Sequence, residues 1–126
     1  MRSLVLSVLF LLTSFLSASA GTPELKFDNY RHSFGKFPIT KVRKCVYPFT
    51  NTGTSDLLIQ NVDPSCGCTK VTYYTKTPVK PGKRGYIVLV YDARNGYEKG
   101  KFNKSVDITT NTKYRYHRIF ISGETF

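Results

Sequence analysis

Short runs in which apolar residues fall on every second position, separated by turn residues, occupy the chain after position 20. Side chains on a strand alternate between two faces, so this spacing predicts β-strands and no helix. Cys45, Tyr47 and Phe49 show the pattern and are expected to share an inward face. The predicted strands cover residues 24–30, 41–50, 57–62, 69–74, 85–91, 102–110 and 113–122.

Turn residues mark the ends of these strands. Phe34-Gly35 is expected to close the first strand, and Asn51-Thr52-Gly53 to follow the second. Pro48 has no backbone donor, so we expect the second strand to lie at a sheet edge or to bulge there. The other breaks are Asp63-Pro64-Ser65, Pro78 with Pro81-Gly82, and the polar loop 92–100.

The pattern in the last three predicted strands indicates which residues form the core. Residues 85–91 are apolar on both faces, which is typical of a central strand. Val106, Ile108, Ile119 and Ile121 are expected to point inward from the last two strands. Seven short, evenly spaced strands predict an all-β fold, an immunoglobulin-like antiparallel β-sandwich. A small barrel is the alternative.

The first twenty residues have a different pattern. Arg2 precedes an apolar run over 4–16, and Ala18-Ser19-Ala20 supplies small residues for a signal peptidase. This order predicts a signal peptide, 1–20, cleaved before a single domain, 21–126. An uncleaved anchor is the alternative, but the run is short for a bilayer span. Gly21 after the cut is not Cys, which argues against a lipid anchor.

The chain is strongly basic. The chain has 19 Lys and Arg against 8 Asp and Glu, a formal net charge of +11. Such a surface attracts anions. In an exported protein these are acidic proteins, glycans or lipid headgroups, and nucleic acid is not expected. The lysines are also explained as solvated residues on strand faces and edges.

The segment Cys66-Gly67-Cys68 is where chemistry is most expected. An oxidising compartment favours a disulfide between the two cysteines, and a ring this small adds little stability, which suits a redox role. Alternatively, both thiolates chelate a soft metal such as Cu(I) or Zn(II). In a third interpretation the cysteines are structural and Gly67 lets the backbone turn. Cys45 is an additional thiol that could pair with either, and the odd count leaves one thiol free.

Catalytic motifs are missing from the sequence. It contains no nucleophile elbow, no H-E-x-x-H, no phosphate-binding loop and no dinucleotide fingerprint. His32 and His117 are far apart in sequence, and each is expected at the surface or at a strand edge. We therefore expect no enzymatic activity and no cofactor.

Several spaced segments together resemble one family. They are the F-T-N-T-G run at 49–53, S-C-G-C-T at 65–69, P-G-x-x-G at 81–85, and shorter matches at 34–35, 57–62, 102–104 and 121–123. The pattern resembles the exported bacterial domain of unknown function family 1573. The resemblance implies an immunoglobulin-like sandwich similar to Hydin and major sperm protein domains, which are scaffold modules. It implies Cys66, Gly67, Cys68 and Thr69 as a signature without an assigned role. Pro48 and the extra Cys45 depart from the pattern.

These observations predict an exported, non-enzymatic structural or protein-binding module of the bacterial envelope, periplasmic or extracellular. Partner proteins are expected to use a sheet edge or the loops at one end. The alternative is a thiol redox or soft-metal-handling protein that uses Cys66 and Cys68. A third, weaker hypothesis is attachment to anionic surfaces through the basic residues.

Overall fold

The computed structural model describes residues 21–95 and 99–126. The predicted signal peptide lies outside the described residues. Eight strands form two four-stranded sheets, which confirms the all-β sandwich. The strands are β1 (Leu25–Phe27), β2 (Arg31–Phe37), β3 (Val42–Asn51), β4 (Ile59–Pro64), β5 (Thr69–Tyr74), β6 (Arg84–Asp92), β7 (Gly100–Thr110) and β8 (Tyr116–Thr125). One 3-10 turn, Ala93–Asn95, follows β6.

The first sheet has the order β1-β3-β6-β5 and the second β2-β8-β7-β4. All neighbouring pairs are antiparallel except β2 and β8, which are parallel. The predicted central position of residues 85–91 is confirmed, because β6 lies between β3 and β5.

The prediction that Phe34-Gly35 ends the first strand is wrong. The chain forms two strands here, β1 in the first sheet and β2 in the second. The β2 register shifts between Ser33 and Lys36, and Gly35 lies between them with φ +71°. Phe34 and Phe37 are both buried although they are three positions apart. The bulge resets the two-residue alternation, so the pattern did not indicate a strand.

The prediction for Pro48 is also wrong, since β3 is a central strand between β1 and β6. The backbone N and O of one residue in an antiparallel strand point to the same neighbour. The Pro48 carbonyl accepts a hydrogen bond from Asp28 N (3.1 Å), so its nitrogen also faces the β1 side. Pairing of β1 stops at Phe27. The missing donor therefore lies just beyond the end of the β1 ladder.

The core lies between the two sheets, as the alternation predicted. Cys45, Tyr47 and Phe49 are all buried on one face of β3. Residues Ile87, Leu89, Val106, Ile108, Ile119 and Ile121 have no exposed surface. Gly85 lies directly over the Phe49 ring, where an added Cβ would overlap the ring carbons. The small residue at this position therefore lets β3 and β6 pack closely.

The Asn51 side chain holds the turn after β3. It has no exposed surface, and its Nδ2 donates hydrogen bonds to the carbonyls of Ser55 (2.7 Å) and Val79 (2.8 Å). Its Oδ1 accepts from the backbone N–H groups of Gly53 (2.9 Å) and Glu24 (3.3 Å). One buried amide thus satisfies backbone groups from three segments, which gives the Asn-Thr-Gly turn a structural purpose.

Candidate functional site

The Cys66-Gly67-Cys68 segment connects the two sheets. It follows β4, an edge of the second sheet, and precedes β5, an edge of the first. Ser65 N donates to the Ser105 carbonyl (2.9 Å), and Ser65 Oγ accepts from Ser105 N (3.2 Å). On the other side, the Cys68 carbonyl accepts from Asp92 N (2.8 Å). Backbone bonds to both sheets therefore fix the position of the segment.

A disulfide joins Cys66 and Cys68, whose Cα atoms lie 5.2 Å apart. The two residues differ in environment: Cys68 is 1% exposed, whereas Cys66 is only partly buried. Cys66 Sγ accepts a hydrogen bond from Cys68 N (3.2 Å). Cys68 Sγ lies 4.0 Å from the Thr69 hydroxyl. Of the two disulfide-bonded residues, Cys66 is thus the more accessible.

Cys45 is the third thiol, and it is free and buried in β3. Burial raises the pKa of Cys45 to about 11, and a hydrogen bond with Tyr47 offsets this only in part. Since the thiolate is the reactive form, Cys45 is inert at neutral pH. It forms no bridge with Cys66 or Cys68, so it packs as a small apolar residue.

Gly67 is exposed, and its φ is not in the left-handed region. Apart from its neighbours Cys66 and Cys68, no residue has an atom within 4 Å of a Cβ added there. The backbone does turn at Gly67, as expected, but the φ of this residue is one that other residues can adopt. Thr69, by contrast, is buried and starts β5, and its N–H donates to the Cys66 carbonyl (3.1 Å).

The two histidines lie on different strands of the second sheet. His32 packs edge-on against Phe34, with ring centroids 4.8 Å apart. His117 is half-buried, with Nε2 2.9 Å from the Thr112 hydroxyl, and burial lowers its pKa. Within residues 21–95 and 99–126, no group of three His, Cys, Asp or Glu side chains could hold a metal ion.

The outer face of the first sheet carries apolar side chains on adjacent strands. We define the apolar outer face as Val46, Pro48, Tyr73, Tyr86, Val88 and Val90. Val88 of β6 pairs with Val46 on one side and with Tyr73 on the other, and Tyr86 pairs with Pro48. Val46, Tyr73 and Tyr86 are 48%, 53% and 45% exposed. The face therefore presents a row of apolar groups across three strands.

Basic residues border this face. Lys44 and Lys70 flank Val90 in the cross-strand register, and Lys26 lies on β1. None of the three forms an ion pair with a described acid. Two nearby acids already have partners: Asp28 pairs with Arg84 (2.6 Å), and Asp92 with Arg94 (2.8 Å). The charge left over at the border is positive.

The outer face of the second sheet is different. Asp107 and Arg118 are cross-strand neighbours in an ion pair of 2.6 Å. The Arg31 guanidinium lies over the Phe120 ring, 4.3 Å from its centroid. Asp107, Arg118 and Arg31 thus find partners within the sheet. Tyr116 is 72% exposed here, but its cross-strand neighbour is the polar Thr109, so this face is the less suited of the two to bind a protein.

All four edge strands are short or irregular. β1 has three residues. The registers of β2, β4 and β5 shift at Ser33/Lys36, Ile59/Asn61 and Val71/Tyr73. Such edges pair poorly with an added strand. The sequence predicts that partners bind at a sheet edge or at the loops at one end, but these edges are less suited to binding than the apolar outer face.

A family model described as "Protein of unknown function (DUF1573)" matches residues 25–125. The chain belongs to the DUF1573 family. This membership confirms the resemblance drawn from the S-C-G-C-T segment and the turns. A search of the curated proteins finds no match.

Solved structures share the fold of this DUF1573 chain. A Porphyromonas gingivalis protein of unknown function is 17% identical with a TM-score of 0.68, over 90% of this chain and 50% of its own. The PapD-like domain 7 of human CEP192 is 10% identical (TM-score 0.62; 91% and 95% covered). The periplasmic chaperone SfaE is 11% identical (TM-score 0.55; 81% and 58% covered). The chain thus spans half the length of the P. gingivalis protein, and the similarities confirm the immunoglobulin-like sandwich.

In the part of the DUF1573 chain that the structure describes, no helix has the length and apolar character needed to span a membrane. The sequence singled out the cysteine segment of this DUF1573 domain but not the apolar outer face. The sequence does contain a pattern that indicates this face, since Tyr86, Val88 and Val90 alternate with the core residues of β6. Apolar residues on both faces of β6 predict a central strand, and this pattern alone does not distinguish a covered outer face from an exposed one.

Proposed function

We propose that this chain is an exported, non-enzymatic protein-binding module of the bacterial envelope, and that the apolar outer face binds the partner. The observation that carries the proposal is the row of exposed apolar residues across β3, β6 and β5. Contiguous apolar surface of this kind marks interaction sites. On the second sheet Asp107 pairs with Arg118 and the exposed Tyr116 lies beside the polar Thr109, which supports the choice of the first sheet.

Three observations support export. The charged, apolar and small-residue order of residues 1–20 is that of a signal peptide. The Cys66–Cys68 disulfide suits an oxidising compartment. The chaperone of similar fold is described as periplasmic. Export places the mature chain among envelope proteins and surfaces.

The border of the face indicates the chemistry of the partner. Lys26, Lys44 and Lys70 are exposed cations without described ion pairs. A second copy of this chain would bring like charges together, which disfavours self-association. The best complement is a protein surface with an apolar centre bordered by Asp and Glu, since charge complementarity steers encounter and suppresses wrong partners.

Photo-crosslinking in the native host tests this proposal. A photoreactive phenylalanine analogue replaces Val46 on the first sheet, or Tyr116, which is 72% exposed on the second sheet, as the control. We expect a discrete protein adduct from position 46 and none of the same mass from position 116. The adduct should disappear in Lys44→Glu/Lys70→Glu, because the charge at the border is reversed.

A matched variant separates the local effect from net charge. Lys101→Glu/Lys113→Glu changes the total charge equally at two exposed residues away from the apolar outer face. It should leave the adduct intact. Equal loss in both double variants, or the same adduct from positions 46 and 116, overturns the proposal. Crosslinks from position 46 to lipid alone also overturn it, and would favour attachment to an anionic membrane.

A further inference from the structure

We propose a second activity, which does not depend on the docking surface: the Cys66–Cys68 disulfide exchanges with a dithiol protein, and Cys66 is the sulfur that is attacked. Neither the fold nor the DUF1573 description assigns this chemistry. Four features of the segment support it.

First, the fold does not need the bond. Ser65 and Ser105 exchange two hydrogen bonds, and Asp92 N binds the Cys68 carbonyl. Thr69 N closes the turn onto the Cys66 carbonyl. A ring with one residue between its cysteines constrains few unfolded conformations. The segment can therefore open its disulfide while the backbone stays in place.

Second, the two sulfurs are not equivalent. Cys66 is partly exposed and Cys68 is 1% exposed, so an incoming thiolate reaches Cys66 first. Third, Cys68 N–H points at Cys66 Sγ (3.2 Å). A hydrogen bond of this kind stabilises a thiolate on Cys66, so it favours the second step of the exchange, in which Cys66 leaves from the mixed disulfide.

Fourth, Gly67 leaves space beside the disulfide. Gly67 is exposed, it has no side chain, and no residue beyond the two cysteines lies within 4 Å of its Cβ position. Attack on a disulfide needs access to the sulfur along with a reactive thiolate. A glycine between the two cysteines provides that access.

The exchange balances in two steps. A partner thiolate attacks Cys66 Sγ, which forms a mixed disulfide as the Cys66–Cys68 bond breaks. The electron pair leaves on Cys68 Sγ, which takes a proton from solvent. The second thiolate of the partner then attacks the partner's own sulfur in the mixed disulfide. Cys66 leaves as a thiolate and is protonated, so the partner becomes a disulfide and this chain a dithiol.

Glutathione serves as the probe, in a Cys45→Ala background that removes the buried thiol. Native oxidised protein is incubated with reduced glutathione near neutral pH, quenched in acid and mapped by mass spectrometry. We expect the adduct at Cys66 to exceed that at Cys68 by about tenfold or more, following the difference in access. Cys68→Ser should accumulate mixed disulfides with oxidised glutathione, whereas Cys66→Ser should not.

Gly67→Val distinguishes access from folding. The substitution places a branched side chain between the two cysteines, where no other residue lies within 4 Å of Cβ, so we expect an unchanged Tm but exchange slowed by about fivefold or more. Two results would overturn the proposal. One is a native disulfide that survives glutathione while the urea-unfolded protein reacts. The other is equal adduct formation at Cys66 and Cys68. If the reduced protein binds Cu(I) stoichiometrically and the native disulfide shows no exchange, the segment is a metal site instead.

Discussion

The Tyr47 hydroxyl of β3 donates a hydrogen bond to the Phe120 carbonyl of β8, and so joins the two sheets through the core. Burial raises the pKa of Tyr47, with the neighbouring Cys45 contributing, so the hydroxyl stays protonated and remains a donor. The aromatic ring itself packs edge-on against Phe27. The residue thus fills the core with its ring and spans it with its oxygen.

Tyr47→Phe is expected to destabilise the fold while keeping the ring packing. The Phe120 carbonyl loses its cross-sheet donor, and an unmade buried hydrogen bond costs about 1–3 kcal/mol. Urea unfolding should show a lower midpoint and an unchanged slope. Tyr116→Phe is the control, since Tyr116 is exposed and its change should be close to zero. Equal effects in the two variants would argue that the hydroxyl of Tyr47 has no specific role.

Asn51→Ala should be among the more damaging polar substitutions. It removes two donors and one shared acceptor in a fully buried site, with an expected loss of about 3 kcal/mol in the free energy of unfolding. Asn111→Ala is the comparison, because its amide also bonds two backbone groups but is exposed, with an expected loss below about 1 kcal/mol. A similar loss at both positions would contradict the importance of burial.

Substitution by alanine should lower the stability of the fold at Gly85 but not at Gly67. Gly85→Ala forces a Cβ against the Phe49 ring, and overpacking of this kind costs about 1–3 kcal/mol. Gly67→Ala meets no atom within 4 Å beyond the two flanking cysteines, and the backbone there is not left-handed, so the free energy of unfolding should change by less than about 0.5 kcal/mol. Thermal unfolding of both variants measures the difference. A stable Gly85→Ala protein would mean that β3 and β6 can separate without cost.

The Asp92–Arg94 pair is expected to make the stability of the fold depend on pH in the acid range. The Arg94 hydrogen bonds lower the pKa of Asp92 to about 2, with a smaller effect from Lys70. Because the folded pKa lies below the ordinary value of 3.8, the contribution is present above that value and is lost as pH falls toward 2. Arg94→Gln should raise the pKa of Asp92, as measured by carboxyl NMR titration. An unchanged Asp92 titration would show that the pair does not form in solution.

The sequence predicted most of the sandwich because its strands alternate cleanly. The alternation predicts β3, β7 and β8 with their inward residues, since one face of each is buried, whereas for β6 it predicts a central position only. β2 was missed because the bulge at Gly35 puts Phe34 and Phe37 three positions apart. Pro48 was misplaced because its effect depends on where β1 stops pairing, which is a property of another strand. The cysteine segment was found by motif, but the exposure difference between Cys66 and Cys68 depends on tertiary packing.

The irregular edges of the sandwich affect how the protein behaves at high concentration. A straight edge strand is a template on which an identical molecule can continue the sheet, and repetition of that step builds fibrils. Here β1 is too short to template, and the bulges of β2, β4 and β5 put donors and acceptors out of step with a regular strand. Many copies can therefore crowd together in one compartment and remain separate molecules.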